Sequence, residues 1–226
     1  MQSKRSKTLK NIGLIKKNLK SLKSKKRLLK NKTPAIFLDR DGVINKENSN
    51  KQYQDPLNII NGSYKAVKKI NQSGYLAVIV TNQSAVAKGI ISIKKLENDH
   101  RKLENYFGMK GAYFDRIYYC PFYPKKDFKG SIKKYIKKSS YRKPNNGMLK
   151  KAIKELNIDI KKSYMLGDRY TDYLAAKKTK VKFLIIGNKF KMKGYKNFKN
   201  LKDGINSILW LVNLIFILIW NTKISH

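Results

Sequence analysis

The chain has 226 residues, of which 41% are hydrophobic, enough to fill the core of one α/β catalytic domain with tails. Its 52 Lys+Arg against 14 Asp+Glu give a net charge of +38, which alone would suggest a nucleic acid or an anionic membrane as partner. Only seven of the 52 are Arg, however, and a Lys excess spread evenly among Asn and Ile reads as compositional drift as much as a binding surface, so no specific nucleic-acid role is expected. A single cysteine, Cys120, excludes an intrachain disulfide and fits a reducing, cytoplasmic setting.

Residues 1–32 carry thirteen Lys/Arg and no acid, with Ile12, Ile15, Leu19 and Leu22 at helical spacing. Residues 1–33 therefore read as a basic arm, either solvated and disordered or an amphipathic helix for anionic lipid or nucleic acid. The arm lacks the apolar stretch and cleavage site of a signal peptide. From Pro34 the texture changes to short apolar runs alternating with helical segments. Ala35–Leu38 reads as a buried strand, Ser63–Gln72 as a helix with Ser63 as N-cap and Gly74 as stop, and Leu76–Val80 as a second strand. A helix near Ser92–Phe107, a strand near Arg116–Tyr119 and a long irregular segment to Asn146 follow. Then come a helix at Gly147–Leu156, a strand at Ser163–Leu166, a helix from Thr171 and a strand at Lys182–Ile186. This alternation predicts a Rossmann-like α/β domain over 34–203, with a mainly parallel sheet covered on both faces and ligands beyond the carboxyl ends of its strands.

Residues 204–226 form an apolar tail, uncharged from Gly204 to Thr222 and almost wholly apolar over Ile208–Trp220. Thirteen helical residues reach about 20 Å, short of the roughly 30 Å hydrocarbon core, so the tail reads as a terminal helix packed on the domain or dipping into a membrane surface.

Four motifs sit after strands. Phe37-Leu38-Asp39-Arg40-Asp41-Gly42-Val43 runs a strand into two carboxylates one residue apart, which in extended chain address the same site. Such a pair repels unless a cation is shared or one acid is protonated, and a hard cation such as Mg²⁺ suits it. One carboxylate can then attack phosphorus while the other moves protons. Val80-Thr81-Asn82-Gln83-Ser84 offers a hydroxyl, amides and turn N–H groups for phosphate oxygens. Arg142-Lys143-Pro144 supplies a cation for the transferring phosphoryl group and a guanidinium for an oxyanion. In Met165-Leu166-Gly167-Asp168-Arg169-Tyr170-Thr171-Asp172, Asp168 can complete a metal shell. Asp172 can orient it or a neighbouring Lys from behind, with Arg169 beside it, or simply cap the helix.

These motifs, with Tyr118-Tyr119-Cys120-Pro121 and Gly147-Met148-Leu149, resemble the haloacid-dehalogenase superfamily over about Ala35 to Ile186, in its branch of D,D-heptose 1,7-bisphosphate and histidinol phosphatases. The resemblance implies that Asp39 is a nucleophile forming an aspartyl-phosphate and Asp41 the acid/base. Mg²⁺ would be held by Asp39, Asp168 and the Asp41 backbone carbonyl, phosphate or substrate by Thr81, Asn82, Gln83, Lys143 and Arg142. It also implies a minimal cap, a small phosphorylated sugar as substrate, a role in lipopolysaccharide heptose biosynthesis, and a monomer in the cytoplasm. The basic arm and the apolar tail, by their own composition, add the expectation of a weak contact with the anionic inner membrane through 1–32 and 204–222. The alternatives are a histidinol-phosphate or other sugar-phosphate phosphatase and, outside the class, a basic membrane- or nucleic-acid-binding protein with a vestigial site.

One part of the family pattern is missing. Where relatives carry Cys-x-His and Cys-x-Cys for a structural zinc, this chain has Cys120, Phe122, Ser139 and Tyr141, so zinc is expected to be absent and Phe122, Tyr123, Tyr135 and Tyr141 to hold the loop by packing.

Overall fold

The computed structural model describes residues 32–47 and 58–211; most of the basic arm and the tail beyond 211 lie outside them. Six strands form one all-parallel sheet: β1 (Ala35–Leu38), β2 (Leu76–Asn82), β3 (Arg116–Cys120), β4 (Tyr164–Gly167), β5 (Lys182–Ile186) and the short β6 (Asn197–Phe198), in the order β3-β2-β1-β4-β5-β6. Strand order reverses on either side of β1, so the crevice beyond the carboxyl ends of β1, β2 and β4 is the switch point where an open α/β sheet binds ligands.

Period-two alternation explains why β1 must be central. Ile36 and Leu38 point to one face and Ala35 and Phe37 to the other, and all four are fully buried. On the first face lie α1 (Ser63–Gln72), α2 (Ile93–Met109) and the helix 201–211, called α5, which contribute Ile70, Leu103, Phe107, Ile205 and Ile208. On the second lie α3 (Gly147–Glu155) and α4 (Tyr170–Thr179), with Met148, Ala152, Ala175 and Ala176 against Phe37, Val80 and Met165. The Rossmann-like expectation is met, and its strand and helix positions differ from those read in the sequence mainly at their ends.

Those differences have physical causes. Ser63 does not cap α1: Gly62 holds the N-cap position, and the Ser63 hydroxyl donates to the Val43 carbonyl at 3.4 Å, tying the helix to the loop after β1. Ser92 caps α2 by accepting from the Lys95 N–H. Strand β2 runs two residues beyond Val80 because Thr81 and Asn82 pair with Tyr119 and Cys120 of β3. Strand β6, only two residues long, shows too little periodicity to be read from sequence.

Helix α5 begins at residue 201, upstream of the apolar tail, and buries Leu201, Ile205 and Ile208 while Trp210 and Leu211 emerge into solvent. The expected boundary between 203 and 204 thus falls inside a helix of the core. Ile205→Ala should lower unfolding free energy by about 3 kcal/mol, the usual cost of emptying a fully buried aliphatic site. A urea titration followed by circular dichroism would show it, and a loss under about 0.5 kcal/mol would mean that α5 is only loosely attached.

Candidate active site

Directly after β1, the Arg40 carbonyl accepts from the N–H groups of Ile44 (2.8 Å) and Asn45 (3.1 Å), closing a tight turn. Gly42 at its apex has φ +90, and a Cβ there would sit 2.0 Å from Asp168 Oδ2, so the turn needs glycine both for conformation and for close approach to the end of β4. The turn separates the two carboxylates. Asp39, 5% exposed, faces the strand ends, where Lys143 Nζ lies 2.9 Å from its Oδ1.

Asp41 turns towards four donors instead. Arg40 forks onto it through Nε (3.1 Å) and Nη2 (2.9 and 3.1 Å), Asn45 Nδ2 donates at 2.9 Å and Gln83 Nε2 at 2.7 Å. Burial would raise its pKa, yet these donors together hold the carboxyl below its ordinary value. Arg40 is fixed from behind by His100 Nε2 at 3.2 Å; burial and the adjacent guanidinium push His100 down to about 3, so the ring is neutral and accepts.

Lys143 is 2% exposed, and its ammonium joins the motifs: Asp39 Oδ1 at 2.9 Å, Asp172 Oδ1 at 2.7 Å and the Val80 carbonyl at 2.9 Å. Burial would drive it towards neutrality, but Asp172 and Asp39 hold it above the ordinary lysine value, so it stays charged. Its backbone is set by Asn82, whose amide mimics a strand neighbour by donating to the Lys143 carbonyl and accepting from the Lys143 N–H, both at 3.0 Å.

Asp168 follows β4, and Asp172 follows one turn later in α4. Asp172 does two things the sequence left as alternatives. Its Oδ2 accepts from the Arg169 N–H at 3.1 Å, capping α4, and its Oδ1 pairs with Lys143. Burial, opposed by Lys143 and reinforced by Asp39, pushes Asp172 up to about 7. Asp168 is also raised, by burial and by Asp39, and its Oδ2 meets Lys189 Nζ while its buried Oδ1 has no hydrogen-bond partner among the described residues.

One oxygen from each of Asp39, Asp168 and Asp172 can be chosen so that all lie within 4.8 Å of one another, and all three residues are buried. An all-carboxylate donor set with an unpartnered buried oxygen fits a hard divalent cation. Asp172, read from the sequence as standing behind the metal ligands, is geometrically one of the cluster.

Above this floor opens a cavity of about 310 Å³, lined by Asp39, Asp41, Glu47, Asn82, Ser84, Lys88, Tyr123, Arg142, Lys143, Arg169 and Thr171. Of the residues expected to bind phosphate, Arg142 and Lys143 line it; Asn82 reaches it, though its side-chain amide is committed to the Lys143 backbone. Thr81 is buried and accepts from Gln83 Nε2 at 2.9 Å, and Gln83 also grips Asp41. Both therefore lie beneath the site, bracing Asp41. Ser84, the last residue of the second motif, stands on the cavity wall; Lys88 and Glu47 on that wall, and Lys189 beside it, were missed, since a charged residue in a loop, above all one Lys among forty-five, gives no signal.

The loop between β3 and α3 forms the far wall. Lys88 Nζ stands 4.1 Å from the centre of the Phe128 ring and 5.3 Å from that of Tyr123, and Arg142 lies 5.0 Å over Tyr123 while donating to the Phe122 carbonyl at 3.2 Å. Phe122 packs near Tyr135, ring centres 6.0 Å apart, and with Tyr141 against the core cluster that includes buried Cys120. This is the aromatic packing expected from the sequence. Burial pushes the Cys120 thiol up, favouring its neutral form.

A family model described as HAD-hydrolase-like matches residues 140–192. Together with the parallel sheet and the acids at its strand ends, this defines an HAD-like hydrolase. The D-glycero-beta-D-manno-heptose-1,7-bisphosphate 7-phosphatase of Haemophilus ducreyi is 40% identical over 157 residues, covering 67% of this chain and 81% of that protein. The enzyme of the same name from Pasteurella multocida is 40% identical over 152 residues, covering 67% and 80%. The chain belongs to this family of phosphatases. In structure it is similar to the D,D-heptose 1,7-bisphosphate phosphatase of B. bronchiseptica solved with magnesium and phosphate, with a TM-score of 0.67 and 24% identity over 78% of this chain and 98% of that one. That likeness supports the fold.

Gly167 closes β4 against Asp172: a Cβ there would lie 2.4 Å from Asp172 Cβ. Gly167→Ala should displace Asp172 and, through it, Lys143, lowering turnover by about 100-fold, as ångström-scale misplacement does. Steady-state kinetics beside a native circular-dichroism spectrum would test this; wild-type turnover would contradict it.

Proposed function

We propose that the chain is a Mg²⁺-dependent phosphatase that removes the 7-phosphate of D-glycero-D-manno-heptose 1,7-bisphosphate through an aspartyl-phosphate on Asp39. The observation that carries this reading is the placement of one buried carboxylate, Asp39, between the Lys143 ammonium and the carboxylate cluster, at the floor of a cavity with a cationic rim. The substrate is inferred from the names of relatives at 40% identity.

Asp39 attacks phosphorus in line, forming an O–P bond to its carboxylate as the bond to the sugar oxygen breaks. Lys143, paired with Asp39 and Asp172, offsets charge on the phosphoryl oxygens. Asp168, Asp39 and Asp172 would hold Mg²⁺, with the Asp41 backbone carbonyl as a further ligand; when bound, the ion screens the approach of an anionic nucleophile to an anionic phosphate. Asp41, oriented by Arg40, Asn45 and Gln83, gives a proton to the leaving sugar oxygen. Once the sugar departs, the Asp41 carboxylate takes a proton from the water that hydrolyses the acyl phosphate, regenerating Asp39.

Arg142, Lys88, Ser84 and Arg169 surround the open part of the cavity, and their charge suits a polyhydroxylated anion. Zinc has no role in this reading, because the loop that could carry it has Phe122, Ser139 and Tyr141 beside Cys120 and is held by ring packing. The chain is read as a cytoplasmic monomer. Among the described residues no helix is long and apolar enough to cross a membrane; the exposed Trp210 and Leu211, which lead into the apolar sequence to Trp220, support contact with a membrane surface.

The test is phosphate release with Mg²⁺ from heptose bisphosphate, histidinol phosphate and sugar monophosphates. Heptose bisphosphate should give the highest kcat/KM, and a preference above about tenfold for histidinol phosphate would overturn the substrate. Asp39→Asn should lose activity by on the order of 1,000-fold or more, and retained activity would overturn the nucleophile.

A further inference from the structure

Lys143 pairs with Asp39 and Asp172, and the third carboxylate of the cluster, Asp168, meets a different cation. Lys189 comes from the loop after β5, and its Nζ contacts Asp168 Oδ2 from above the Gly42 turn, 2.9 Å from where a Gly42 Cβ would be. The two lysines differ in kind. Lys143 is 2% exposed and fixed by three oxygens, whereas the Lys189 side chain is 43% exposed on a flexible four-carbon stem.

Lys189 also has a second anion within reach. Glu47 Oε2, in the segment after β1, lies 2.6 Å from the same ammonium, and the other Glu47 oxygen pairs with Arg169. The ammonium can leave Asp168 and remain paired at the cavity mouth. Three buried carboxylates paired with one buried ammonium, that of Lys143, carry an excess of two negative charges when ionised, which Lys189 reduces to one.

We propose that Lys189 is an internal counter-ion of the carboxylate cluster, exchanged for a divalent cation: it neutralises Asp168 in the metal-free protein and shifts onto Glu47 when Mg²⁺ enters. This rests on the reading of Asp39, Asp168 and Asp172 as the metal site. A positive charge that must be displaced lowers affinity for the metal while stabilising the metal-free fold, so its removal should act in opposite directions on the two.

Isothermal titration of Mg²⁺ into the full-length protein, with melting temperatures in EDTA and in saturating Mg²⁺, tests the exchange. Lys189→Met should bind Mg²⁺ about tenfold more tightly than wild type, the scale expected for a partly screened like charge a few ångströms from the ion. It should melt lower than wild type in EDTA and level with it in Mg²⁺. Lys189→Arg, which keeps the charge, should stay within about twofold of wild-type affinity. Glu47→Gln, which removes the alternative partner and leaves Asp168 intact, should bind Mg²⁺ about threefold more weakly and decides the matter even where Lys189→Met folds poorly. Equal or weaker Mg²⁺ binding by a folded Lys189→Met, or unchanged affinity in Glu47→Gln, would overturn the exchange alone. Absence of Mg²⁺ binding by the wild type would overturn the metal site and the exchange with it.

Discussion

The Lys143 ammonium is the interaction on which the site depends. Asp39, Asp168 and Asp172 are brought together by the adjacent ends of β1 and β4 and the first turn of α4, and three buried carboxylates this close would repel without an internal cation. Lys143 reaches them from the loop before α3, with its ammonium on Asp39, Asp172 and the end of β2. Removing one partner of such a pair is worse than never having built it, because the remaining charge stays buried and unmatched. The bracing around it follows from the same requirement. Asn82 clamps the Lys143 backbone as though continuing β2, and Asp172 is locked by its cap to Arg169.

A second buried network governs Asp41 and is kept apart from the first by the Gly42 turn. The chain His100, Arg40, Asp41, with Gln83 and Asn45 joining from the sides, makes the second aspartate an acceptor saturated with donors. Two acids one residue apart therefore have different environments: Asp39 opposite a lysine within the carboxylate cluster, Asp41 opposite a guanidinium and amides. That division suits one for attack on phosphorus and the other for proton transfer.

The sheet and most of the catalytic motifs were legible because the Asp39, Thr81 and Asp168 motifs each follow a buried apolar run, and because Asp39 and Asp168 are of a residue type whose chemistry is unambiguous at a strand end; Lys143, in the loop before α3, was legible only from the Arg-Lys-Pro pattern around it. What stayed hidden was pairing across long separations. Gln83 grips a carboxylate 42 positions earlier, and Lys189 finds Asp168 and Glu47 from a loop with no periodicity. Asn82 and Gln83 present polar groups suited to phosphate, but the tertiary structure spends their side chains on Lys143 and Asp41. The aromatic content of the loop after β3 suggested packing, while the partners in it, such as Lys88 over Phe128, are set by how that loop meets the segment after β2.

The central claim is a covalent phosphoryl group on one particular carboxylate. Quenching the enzyme during turnover with Mg²⁺ and substrate, reducing with borohydride and mapping the peptides by mass spectrometry tests it most directly, since reduction turns an acyl phosphate into an alcohol and leaves free carboxylates intact. The account predicts homoserine at position 39, dependent on both substrate and Mg²⁺, with Asp41, Asp168 and Asp172 unmodified. Reduction at Asp41 in place of Asp39, or at no residue while phosphate is being released, would contradict it.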